Sequence, residues 1–188
     1  MTAVGIKAKN VLILPGWHGS GHLHWQRLWA MQFAYTVVEQ HDWIRPLRGD
    51  WLVRLDDVMA DLQGPIYLVA HHLACIQVVA WAHISAQRDK VKGALLVAPG
   101  DVEAPPLTSA LTSWRPIEMQ ALPFESILVS SQNDSHCSVE RAKAFAKAWG
   151  STWKEVGCEG HLNADSNLGD WPEGQALLND LMKEEHGY

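Results

Sequence analysis

The sequence predicts a three-layer, doubly wound α/β domain, and three observations carry the prediction. Apolar runs of strand length alternate with helix-length stretches from residue 11 to residue 185. Three of those runs, at 11–16, 65–70 and 92–100, are continuously apolar, as strands of a parallel sheet covered on both faces must be. Polar and titratable residues follow the strands one after another. They therefore gather at one edge of the sheet, where such folds bind ligands.

The elements follow in order. VLILPG (11–16) reads as a buried strand. GSGHLHWQRLWAMQF (19–33) reads as a helix capped by Ser20, with Leu23, Leu28 and Met31 on its apolar face. AYTVVEQ (34–40) alternates like a second strand. The stretch 49–62 spaces Leu52, Leu55, Val58, Met59 and Leu62 helically, with Asp50 as its cap. PIYLVA (65–70) is the third strand. The run 72–86 is apolar nearly all round, so it reads as a buried helix. Strands follow over 92–100, 124–134 and 151–157. The helices between and after them span 138–149, capped by Ser138, and 172–185, with Pro172 in its first turn. The proline-bearing segment 101–123 is a long connection able to border a site.

Composition narrows the class. The chain has 188 residues, enough for a single α/β domain over 1–188. A net charge of -6 and the absence of a basic run argue against nucleic acid and anionic membranes as partners. No apolar stretch approaches the roughly 20 residues of a membrane helix, and the first ten residues carry no leader-like core. Cys75, Cys137 and Cys158 are scattered and odd in number, so free thiols in a reducing cytoplasm are expected. Cys75 reads as a core residue.

The chemistry centres on IYLVAHHLAC (66–75). An apolar strand ends in a tight Ala-His-His-Leu-Ala, the shape of a nucleophile elbow, with His72 where a nucleophile would stand. Asp134 follows the fifth strand and His161 the sixth, giving the order nucleophile, acid, histidine. A hydroxyl nucleophile needs a neutral imidazole to accept its proton, and the imidazole needs a carboxylate to fix its tautomer. The backbone amides of Trp17 and Leu73 are the expected oxyanion donors. Asp165 and Asp170 are rival acids, but Asp134 follows a strand directly.

Four stretches also carry a family resemblance: LPGWHGSGHLHWQ (14–26), LVAHHLAC (68–75), SSQNDSHCSVERA (130–142) and GHLNADSNLGDWPEG (160–174). In them the chain resembles the small α/β serine-hydrolase family of retinoblastoma-binding protein 9 and the bacterial YdeN-like proteins. The resemblance implies a three-layer α/β-hydrolase fold of six mostly parallel strands in the order 2-1-3-4-5-6, without a cap domain. It places the acid on Asp134, the base on His161 and the nucleophile on His72, which departs from the family's serine. Ala74 likewise replaces the second elbow glycine.

The implied function is hydrolysis of a small ester, thioester or amide, weakened or altered by His72; the alternative is a non-catalytic binding module for a small molecule or protein. His72 is expected at a positive φ, which histidine tolerates better than most residues. It can be a bystander, a nucleophile in its own right, part of a ligand pocket, or an introduced replacement for serine. His72, His161 and Asp134 also make a zinc or iron ligand set, with His18, His22 or His24 in reserve. No contiguous metal motif supports it, so neither metal nor cofactor is expected. His18, Trp114 and Trp171 are candidate substrate contacts, suggesting an apolar acyl or aryl group. The retinoblastoma-type partner belongs to one branch of the family and is not carried over.

Overall fold

A computed structural model describes residues 10–183. The readings on residues 1–9 and on the helix end at 184–185 lie outside them. Six strands form one parallel sheet: β1 (Asn10–Leu14), β2 (Thr36–Val37), β3 (Ile66–His71), β4 (Val91–Val97), β5 (Glu125–Ser130) and β6 (Thr152–Glu155). Their order is β2-β1-β3-β4-β5-β6, as expected. Five helices flank it: α1 (Trp25–Phe33), α2 (Arg48–Ala60), α3 (Leu73–Ile84), α4 (Val139–Trp149) and α5 (Pro172–Lys183).

Alternation along the strands explains the three layers. Leu12, Leu14, Leu68, Ala70, Ala94, Leu96 and Leu128 face one side and pack with α2, α3 and α4. Val11, Ile13, Tyr67, Val69, Leu95, Val97 and Val129 face the other, against Trp25 and Trp29 of α1 and Leu178 and Leu181 of α5. Both faces of β3 are covered, which is why its sequence shows no polar alternation. The α3 helix is buried along nearly its whole length, matching its uniformly apolar sequence.

Several local expectations are corrected. The first helix begins at Trp25, with the His24 ring accepting from the Gln26 amide as its cap. Ser20 instead donates to Gln26 Oε1. Its inner face is Trp25, Gln26 and Trp29, whereas Leu23 and Met31 are 67% and 81% exposed. The large indoles, not the spacing of the aliphatic residues, set the buried stripe. The second strand shrinks to two residues, because an edge strand pairs on one side only. Asp50 lies inside the first turn of α2, and Leu47 precedes that helix without a side-chain cap. Ser138 and Pro172 stand where expected, Ser138 accepting from the Arg141 amide.

Residues 101–123 stay a connection, with one 3-10 turn at Thr112–Trp114 and no cap domain. Among the described residues all three cysteines are free; Cys75 and Cys137 are buried and Cys158 exposed. No described helix is long and apolar enough to cross a membrane.

Candidate active site

The carboxyl ends of β1, β3, β5 and β6 enclose a cleft of about 310 Å³. Trp17, His18, His24, His71, His72, His136, His161 and Asp165 line it, so seven of its walls are aromatic or imidazole rings. A wider, shallower depression at the opposite sheet edge, around Arg88, Lys92 and Glu125, brings together no histidine or cysteine.

The chain turns sharply between β3 and α3 at His72. His72 caps α3 at φ 54° and ψ -119°, a conformation non-glycine residues adopt at a cost of order 1–3 kcal/mol. Its amide donates to Val97 O and its carbonyl accepts from Cys75, so the turn is held from both sides. The first loop presses against it. A Cβ on Gly16 would stand 2.7 Å from both His71 O and His72 Cβ, so only glycine fits there. This approach brings Gly16, the residue before Trp17, against the start of α3, where its Cβ would lie 3.3 Å from Leu73 N. Neither the Trp17 nor the Leu73 amide donates to a protein acceptor among the described residues, which leaves both available to an oxyanion.

Asp134 and His161 meet. His161 Nδ1–H donates to the carboxylate, 2.9 Å from each oxygen, so the free nitrogen is Nε2. Burial pulls the Asp134 carboxyl upward, but hydrogen bonds from His136 and His161 outweigh it and bring the pKa to about 2. Its neighbours hold the loop of His161. Ser131 accepts from Glu159 N and Asn133 accepts from Gly160 N. His71 Nε2–H donates to His161 O and Trp25 Nε1–H to Leu162 O. The rival Asp165 lies on the cleft wall; among the described residues Asp134 alone pairs with the His161 imidazole.

The His72 ring fills the space a serine hydroxyl would leave. It packs on Gly100, where a Cβ would lie 2.5 Å from its Nε2. That nitrogen is buried and makes no hydrogen bond. Burial, then the neighbouring His161 and His136, hold the His72 pKa well below the ordinary histidine range, so the ring is neutral. It stands edge-on to His161, ring centres 4.7 Å apart.

Two expected substrate contacts lie elsewhere. Trp114 is wholly buried against Trp51 and donates to Pro46 O, on the α2 side of the sheet. Trp171 packs between Trp25 and Trp29 on the opposite layer. Indoles this large go where the core has room, and composition alone does not separate core from rim. His18 does line the cleft, at φ 67° and stacked on Trp17. Sequence reasoning missed His136, whose ring lies 4.1 Å from that of His161. Its only signal was a position two residues beyond Asp134, at the same strand end.

Known proteins match this architecture. Residues 11–180 match the family described as serine hydrolase. A YdeN-like hydrolase from Pectobacterium atrosepticum superposes with a TM-score of 0.81 at 22% identity, over 94% of this chain and 92% of its own. The ydeN gene product of B. subtilis gives 0.75 at 20% identity, over 93% and 99%. Est1E from Butyrivibrio proteoclasticus, solved with ferulic acid bound, gives 0.69 at 14% identity, over 96% and 91%. No curated protein matches the chain in sequence.

Proposed function

The chain belongs to the serine hydrolase family, and from that premise we propose that its cleft slowly hydrolyses small ester, thioester or amide substrates with water as the attacking group. The observation that carries this reading is the Asp134–His161 pair, whose imidazole lines the cleft while the buried carboxylate holds it from behind. Nε2 of His161 takes a proton from a water, and the oxygen adds to the acyl carbon. The carbonyl oxygen turns negative and meets the amides of Trp17 and Leu73. The ionised Asp134 steadies the imidazolium, which returns its proton to the departing group.

The packing of His72 Nε2 against Gly100 speaks against that ring as the nucleophile, since the bulky imidazole carries its nitrogen past the place of a serine hydroxyl. Sites of this kind without a nucleophile keep about 10³–10⁴-fold over water from the oxyanion hole and binding, so activity is weak. The cleft is at the small end of ligand pockets, which favours a short acyl group.

The test is steady-state hydrolysis of p-nitrophenyl acetate by the protein and by His161→Gln. The expected result is slow linear release without a burst, reduced about 100-fold or more by the substitution. An unchanged rate in His161→Gln overturns the reading. The elbow without a hydroxyl also favours a second reading, a binding cleft without turnover. Its mark is a ligand that raises the melting temperature and is not consumed.

A further inference from the structure

We propose that His72, His136 and His161 form a site for one divalent transition-metal ion, zinc foremost, at the floor of the cleft. A ring nitrogen of each lies within 4.8 Å of the other two. The three residues come from separate loops after β3, β5 and β6, so no contiguous motif announces them. The set differs from the His72, His161 and Asp134 grouping considered from the sequence, because Asp134 is engaged from behind.

That engagement is the second observation. Metal-binding histidines almost always donate their other ring N–H to a carboxylate, carbonyl or water, which fixes the tautomer and aims the ligating nitrogen. Asp134 does this for His161 through both oxygens. It stands 3.6 Å from Nδ1 of His136 and accepts the His136 backbone amide at 2.8 Å. The buried carboxylate thus backs the His161 ring directly and anchors His136 through its backbone, while Nδ1 of His136 meets Ser135 Oγ at 3.3 Å; Nε2 of each ring is without a protein partner among the described residues. His72 contributes the third ring, whose buried Nε2 has no hydrogen-bond partner. An orphaned buried nitrogen costs about 1–3 kcal/mol, and a metal ion nearby gives this imidazole a use.

The donor set selects the ion. Three imidazoles without thiolate suit zinc, cobalt, nickel or copper and not magnesium or calcium. Cys137 and Cys158 are not in the cluster. Three protein ligands beneath an open cleft leave the fourth tetrahedral position for water. Resting on the hydrolase reading, the consequence is a substitute nucleophile. The bound water loses a proton to solvent near neutral pH, and the metal-held hydroxide adds to the acyl carbon. The bond to the alkoxide breaks, and the alkoxide takes a proton from water, giving acid and alcohol. His161 is then a ligand, and the metal replaces it in activating the water.

The experiment titrates untagged, chelator-stripped protein with cobalt(II), followed by displacement with zinc(II). One equivalent is expected, with the intense visible bands of four-coordinate cobalt. His72→Ala and His136→Ala should each weaken binding about 100-fold and Asp134→Asn about 10-fold, while melting curves confirm that the variants fold. His136 is partly exposed and tolerates replacement best. No cobalt bound at micromolar concentration overturns the site. So does binding unchanged in His72→Ala and His136→Ala, which assigns it to surface histidines. Binding without ester hydrolysis supports the site and removes the hydrolase reading. Hydrolysis by stripped protein that binds no metal does the reverse.

Discussion

Gly16→Ala probes the contact on which the proposed oxyanion arrangement depends. The new Cβ would lie 2.7 Å from His71 O and from His72 Cβ, about 0.7 Å inside ordinary contact on each side. Both neighbours belong to the elbow, one a backbone carbonyl and the other a Cβ, so no flexible side-chain end can yield. The first loop must lift by a comparable distance and carry the Trp17 amide with it. Overpacking of this kind costs about 1–3 kcal/mol, a melting temperature lower by about 2–12 °C for a domain of this size. A misplacement approaching 1 Å costs about 10–100-fold in rate.

The assay is p-nitrophenyl acetate hydrolysis with thermal unfolding, run in a His72→Ser background, where Cβ and hence the clash persist. Gly49→Ala is the control. Its Cβ meets nothing within 4 Å inside α2, so it should stabilise by about 0.5–1 kcal/mol. A Gly16→Ala variant with unchanged rate and melting point would refute the packing of loop on elbow.

Other expectations concern the shell around the cleft. His24 is buried and its pKa falls to about 3, chiefly through desolvation, with His161 and Arg27 adding. The unfolded chain therefore binds its proton near pH 6.5 and the folded chain does not. Stability falls with pH below about 6.5, by about 2 kcal/mol between pH 7 and pH 5 from this group alone. His71 and His72 shift in the same direction. Urea unfolding at both pH values checks the sign, and a midpoint flat over that window contradicts it. Gln26 is wholly buried, donates to Leu14 O and Val69 O, and accepts from Ser20. Gln26→Leu should cost about 1–3 kcal/mol by orphaning those groups, read as a lower urea midpoint.

What the sequence revealed follows from how local each signal is. Continuously apolar runs identified β1, β3 and β4, because a strand buried on both faces has no other way to be written. Ser138 and Pro172 marked helix starts because capping chemistry acts within a few residues. The start of α1 was misread, since His24 caps through its ring and the residues before it continue the helical spacing by accident. Asp134 and His161 were legible from chain order, and the structure joins them. Trp114 and Trp171 were not assignable, because an indole reads alike in core and rim. His136 was invisible for a related reason. It acts through neighbours 64 residues before it and 25 after it, and no window of sequence holds them together.

On the proposed function, the turn at His72 keeps its acid, base and amide donors and lacks only the hydroxyl. The most direct test is stopped-flow release of p-nitrophenol by His72→Ser beside the parent protein, both stripped of metal. A burst near one equivalent is expected from the serine variant and none from the parent. A serine variant that gives no burst and turns over no faster than the parent would contradict it, because the remaining machinery would then be unfit to serve a nucleophile.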